Sequence, residues 1–267
     1  MNTIPHNTNN PIERIIIFTD FSTLLVPTIL INATVKAVTG MKHFQIAGIC
    51  VRNYQKYHHL MYRHSRTILK TKIKTFFDKT QHQKFSCPLP INIDRLAWQH
   101  RFKVLIPPDN NINHPEFIQQ VKTQIQPTVA LSFFCLQKFS LELLQTFEYA
   151  VNYHNGILPK YRGLRATCWS VYHQDSTTGY TYHRINEKIN QGNTLIKGML
   201  PVQADTRVPD LEYKKPSVRQ KIFPVCWRSS KGEKSVRSGP GWKIIFPEMM
   251  RKKAHLLISR RTIYMRS

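Results

Sequence analysis

An asparagine and a histidine two residues apart, Asn152 and His154, stand at the end of a β-compatible run, Tyr149 to His154. In extended backbone, residues at i and i+2 project from the same face. An amide N–H can hold an oxygen on which negative charge develops, and an imidazole can move a proton. Acyl transfer to an amine needs both. An isolated Asn-x-His would by default be two polar residues capping a strand. This pair instead runs directly into Leu158-Pro159-Lys160-Tyr161-Arg162-Gly163, where Pro and Gly impose an irregular loop. An aromatic helix candidate, Ala166 to His173, comes next, followed by Thr178-Gly179, a strand candidate from Tyr180 to Ile185, and Asn190-Gln191-Gly192.

In its order and spacing, this succession resembles the folate-dependent formyltransferases, which act on methionyl-tRNA, glycinamide ribonucleotide and nucleotide-linked amino sugars. Members of that family show Asn-x-His, then Leu-Pro-x-Tyr-Arg-Gly, a Thr-Gly before a strand, and a loop ending in Asp-x-Gly. The resemblance spans roughly residues 12 to 205 and is strongest from Val151 to Leu200. It implies a Rossmann-like, doubly wound, mostly parallel α/β sheet. It also implies 10-formyltetrahydrofolate as formyl donor and, as acceptor, a small-molecule primary amine on a nucleotide-linked, carrier-bound or aminoacyl substrate. By the same resemblance Asn152 donates to the formyl oxygen and His154 is the catalytic histidine. The loop Phe133 to Lys138, with Phe134, Leu136 and Gln137, would meet the pterin through its backbone, and Glu187 and Gly192 would complete the donor site.

The family's third catalytic position is an aspartate, and here it is Asn190. An amide can hold geometry, but it cannot stabilise an imidazolium as a carboxylate does, nor accept the proton. The expected penalty is roughly 10²- to 10⁴-fold in turnover. Glu187 is the nearest carboxylate, but its longer side chain and shifted position argue against rescue. The chain is therefore expected to be impaired in formyl transfer. The alternatives are a catalytically silent formyltransferase-like fold and a basic RNA-binding protein.

The elements that must position these residues alternate along the chain. After a polar leader (residues 1–11), Ile15 to Phe18 is a β-branched and aromatic run of the kind a buried parallel strand shows. A helix is expected from about Pro27 to Val38 and a second strand from Phe44 to Val51. Residues 52 to 103 are polar, basic and His-rich, with a basic helix candidate from Arg63 to Lys79, and read as an insertion or loop-rich region. A third strand is expected at Lys103 to Ile106, a helix at His114 to Gln124, a fourth strand at Val129 to Phe134, and a helix capped by Ser140 through Phe147. No GxGxxG fingerprint accompanies the first strand, so a dinucleotide is not indicated.

Bulk properties narrow the classes further. Five dispersed cysteines form no CxxC pair, the adjacent His58 and His59 point apart, and no metal site is expected. The longest apolar region, Phe21 to Val38, holds Pro27 and Lys36, so no membrane span is expected, and the expected compartment is cytoplasmic. The 39 Lys+Arg against 15 Asp+Glu give a net charge of +24. Residues 206 to 267 alone carry 16 basic and 4 acidic side chains. That basic C-terminal tail has no sustained hydrophobic period. Trp227, Trp242 and Tyr264 make it a candidate for weak nucleic-acid binding, but the preferred reading is an irregular tail that is not a complete domain.

Overall fold

The computed structural model describes residues 12–20, 25–52, 92–186, 192–203 and 205–217. Expectations at His58, His59, the basic stretch 63–79, Glu187, Asn190 and the tail beyond residue 217 lie outside the described residues.

Seven strands form one sheet: β1 (Glu13–Thr19), β2 (Phe44–Val51), β3 (Lys103–Leu105), β4 (Val129–Phe133), β5 (Tyr149–His154), β6 (Thr177–Arg184) and β7 (Thr194–Pro201). Their order is β3-β2-β1-β4-β5-β6-β7. The first five run parallel, whereas β6 and β7 are antiparallel additions on the β5 side. Ile15, Ile16, Ile17 and Phe18 are fully buried because β1 lies mid-sheet with both faces covered.

Among the described residues, six α-helices pack with the sheet: α1 (Leu25–Thr39), α2 (Ile93–His100), α3 (Pro115–Gln120), α4 (Leu141–Leu144), α5 (Ala166–Tyr172) and α6 (Val208–Ser217). Pro27 falls in the first turn of α1, where a missing N–H breaks no helical bond. One sheet face packs with α1 and α2 through Leu30, Val35, Ile93 and Ala97. The other packs with α3 and α4 through Phe117, Ile118 and Leu143. α3 does not continue as an α-helix to Gln124; Val121–Ile125 form a π-helical turn that ends at left-handed Gln126.

Other boundaries also differ from the sequence reading. Asn92 caps α2 by accepting from the Arg95 N–H, so the end of the supposed insertion 52–103 is an ordinary crossover helix. Its polar face hid it: Trp98 is 82% exposed, and only Ile93 and Ala97 are buried. β4 stops at Phe133, because Phe134 takes a left-handed φ of 61°. α4 spans one turn rather than reaching Phe147. β7 and α6 were not anticipated. α6 lies in the stretch read as irregular tail, yet it packs on α1, α5, β6 and β7, with Leu211 and Lys215 buried.

Candidate active site

Period-two alternation splits β5 between the two layers. Tyr149, Val151 and Tyr153 join the α1 face. Ala150 lies on the α4 face, and Asn152 and His154 continue that line to the carboxyl end. Cross-strand register sets their neighbours. Asn152 sits between Ser132 of β4 and His183 of β6, and His154 pairs with Thr181.

His154 is only 7% exposed. Its Nε2 lies 2.6 Å from the Tyr161 carbonyl oxygen. A carbonyl can only accept, so Nε2 carries hydrogen. Burial moves its pKa below the ordinary 6.5, opposed by that hydrogen bond and reinforced by His183 and Lys215. The neutral imidazole is thus favoured at neutral pH.

The loop Leu158–Gly163 supplies that carbonyl; three side-chain contacts hold the loop and a fourth holds the turn before it. Thr181 accepts from the Leu158 N–H at 3.1 Å and donates to Gly156 O at 2.8 Å. Tyr161 Oη donates to Asp175 at 2.6 Å, and Lys160 pairs with the same carboxylate at 2.7 Å. Gly156 is required by close packing: a Cβ there would stand 2.4 Å from Ala166 Cβ and 3.0 Å from His154 Nε2.

Asn152 Nδ2 lies 3.1 Å from His183 Nε2, and His183 Nδ1 lies 2.8 Å from Arg184 O. Both residues line a cavity of about 90 Å³, together with Ser132, Leu136, Phe139 and Asn186. Its wall on the β4 side is the loop Cys135–Phe139. A buried carboxylate ties this loop to the end of β1: Asp20 Oδ2 accepts from the Leu136 N–H at 3.0 Å and from Arg52 at 2.8 Å. Phe134 stacks on Tyr153 at 6.1 Å, an aromatic contact that helps offset its left-handed backbone.

The structure therefore brings Asn152, Leu136 and Gln137 together around the cavity at the carboxyl ends of β4 and β5, while His154, two residues beyond Asn152 on β5, lies outside its lining. Gln137 lines the cavity, but its side chain is committed to Asn111 and to the Ile112 N–H, so it braces the neighbouring loop. Phe134 points into the Tyr153 stack, away from the cavity. Gly192 sits where a Cβ would meet Arg184 O at 1.7 Å, so its role is tight closure of the β6–β7 connection. Asn190 and Glu187 lie outside the described residues. Sequence reasoning passed over His183, Asp20 and Lys215. For His183 the signal was present: it alternates with Thr181 in the strand after Thr178-Gly179, on the face that Asn152 presents.

Lys215 of α6 is 1% exposed, and its Nζ donates to Thr167 Oγ1 at 2.7 Å and to Asn155 O at 3.2 Å. It joins α6 to the first turn of α5 and to the residue after His154. Burial pulls its pKa down to about 7, against the attraction of Glu212 and Cys168.

Comparison with known proteins agrees with this fold. A family model described as formyl transferase matches residues 92–226, just over half of the chain. The methionyl-tRNA formyltransferase of Gloeothece citriformis is 33% identical over 119 residues, which are 43% of this chain and 34% of that protein. The chain thus spans about a third of the length of that curated relative. Glycinamide ribonucleotide transformylase 1 from Symbiobacterium toebii superposes with a TM-score of 0.59 at 15% identity, covering 88% of this chain and 94% of its own. A sugar N-formyltransferase from Shewanella sp FDAARGOS_354 does so with a TM-score of 0.50 at 12% identity, covering 86% and 75%. At such identities the structures speak for the fold alone. With the family model matching more than half of its residues, the chain belongs to the formyl transferase family.

Proposed function

We propose that this protein binds a 10-formyltetrahydrofolate donor beside β4 and β5 and transfers its formyl group to a primary amine, at a rate depressed by Asn190. The observation that carries the reading is the juxtaposition of Asn152 and buried His154 at the carboxyl end of β5, with Asn152 opening on the cavity. The cavity suits the edge of a flat heteroaromatic ring. Leu136, Phe139 and Ile185 give it apolar walls, Ser132, Asn152 and Asn186 give it polar groups, and the backbone of Cys135–Lys138 runs along one side. The donor supplies an activated N-formyl carbon.

Asn152 offers an amide N–H to the formyl oxygen, where charge accumulates as the amine adds. His154, neutral at physiological pH, takes the proton the attacking nitrogen must lose. The bond between the formyl carbon and the donor nitrogen then breaks, and that nitrogen leaves with the proton returned by His154. A carboxylate at position 190 would stabilise the imidazolium formed midway; the amide of Asn190 does not. The acceptor is an amine on a nucleotide-linked, carrier-bound or aminoacyl molecule.

The test measures folate-analogue binding and formyl transfer in parallel for the wild type and for Asn190→Asp. The expected outcome is binding by both, with transfer faster in the variant by roughly 10²- to 10⁴-fold. Equal and robust rates in the two proteins would show that Asn190 is no impediment. Binding by both with transfer by neither would identify a silent fold kept for its ligand.

A further inference from the structure

His183 stands opposite Asn152 across the β5–β6 ladder, a placement set by backbone register and thus independent of side-chain rotamer. Its two ring nitrogens have different partners. Nδ1 faces Arg184 O at 2.8 Å, an atom that can only accept, so Nδ1 carries hydrogen. In the neutral ring Nε2 then holds the lone pair, and it faces Asn152 Nδ2 at 3.1 Å. Only one orientation of the Asn152 amide satisfies this arrangement, with nitrogen toward the ring and oxygen away from it. The amide nitrogen has two hydrogens. One goes to His183, and the second is left for the cavity that both residues line.

We propose that His183 is a positioning residue that locks the Asn152 amide with its second N–H aimed at the formyl oxygen. The inference rests on the formyl-transfer reading for its consequence, while its structural core stands without it. In the opposite orientation the amide would turn its carbonyl oxygen toward a developing oxyanion, repelling the charge that Asn152 should stabilise. An asparagine alone has no preference between the two orientations, because its nitrogen and oxygen ends have nearly the same shape; an imidazole with a fixed tautomer does. His183 thereby supplies information that the Asn-x-His pair of β5 lacks.

Two measurements test this. The first is the ring ¹⁵N spectrum of histidine-labelled wild-type protein near neutral pH, with the His183 signals assigned by their loss in His183→Gln. The expected result is hydrogen on Nδ1 and an accepting Nε2. Hydrogen on Nε2 would mean that the Asn152 oxygen faces the ring, and would overturn the proposal whether or not the protein transfers formyl groups. The second compares His183→Leu and His183→Gln, each combined with Asn190→Asp. Leucine should lower kcat by roughly ten- to a hundredfold with KM for the folate donor little changed. Glutamine, which can present its own oxygen to Nδ2, should restore most of that loss. Equal losses in both, or a loss confined to KM, would overturn the positioning role. If neither combination nor Asn190→Asp itself transfers, the formyl-transfer reading fails, and the tautomer measurement still decides the orientation of Asn152.

Discussion

At the residue scale the site turns on two side chains that differ in burial and task. Asn152 opens on the cavity, while His154 is enclosed and hydrogen-bonded to Tyr161 O. Burial holds the His154 pKa below 6.5, so the base form persists into mildly acidic solution. For a step that needs neutral His154, the acid limb of kcat/KM in the wild type should lie below that of an ordinary imidazole and move upward in Asn190→Asp, whose carboxylate favours the imidazolium; pH profiles of the two proteins check this. In the Asn190→Asp chain His154→Ala should cost roughly 10²- to 10⁴-fold in kcat while the Kd of a folate analogue changes little, because His154 lies outside the cavity lining. A comparable loss of folate binding, measured by titration calorimetry, would assign His154 to the donor pocket instead.

At the element scale the site is an assembly of strand ends, each tied to the next. Asp20 links the end of β1 to the loop after β4 and to Arg52 after β2. Thr181 of β6 holds the turn that follows β5. Lys215 links α6 to α5 and to Asn155. The lysine has a readable cost. Its pKa is 10.5 when unperturbed and about 7 in the fold, so between those values the unfolded chain binds more protons than the folded one. Stability from this group therefore rises as pH climbs above 7 and is lost again as pH falls back to it, with a slope of up to about 1.4 kcal/mol per pH unit. Urea denaturation of the wild type and of Lys215→Met at pH 7 and 8.5 should show that rise in the wild type alone. The window ends there because the buried thiols Cys50 and Cys135, whose pKa values are raised above 9.0, act in the opposite sense at higher pH. Identical slopes in the two proteins would mean that Lys215 is not enclosed as the structure has it.

At the scale of the whole molecule, net charge and fold are separate matters. The charge of +24 belongs to the full chain, and no described helix is long and apolar enough to cross a membrane. A chain this basic attracts polyanions whatever its fold. Binding to tRNA should be detectable at low salt and fall steeply toward about 0.15 M ionic strength. The packed α6 determines how to test the tail: truncation must follow residue 217, because a cut at 206 also removes buried Leu211 and Lys215. The full chain and the chain ending at residue 217 should bind tRNA equally poorly at physiological salt in a filter-binding assay. Tight binding by the full chain alone would make the tail an RNA-binding extension.

What the sequence determined by itself was local. Continuous β-branched runs mark buried parallel strands, and the alternation that places Asn152 and His154 on one face is a property of any extended chain. The order of NYHNGILPKYRG, Thr-Gly and a Gly-closed loop identified the family and hence the fold. Elements without such local marks were missed: α2 shows a largely polar surface, and α6 owes its inward face to Leu211 and Lys215, a lysine no hydrophobic pattern would count. Only the tertiary structure decided which side chains meet. Asn152 and His183 are 31 residues apart, Asp20 and Leu136 are 116 apart, and Lys215 and Asn155 are 60 apart. Contacts at such separations depend on register between strands and on crossover helices returning to one sheet edge. That physical reason divides this protein: residue spacing along the chain could single out Asn152 and His154, but only the packed sheet could show that His183 faces the one and the Tyr161 carbonyl the other.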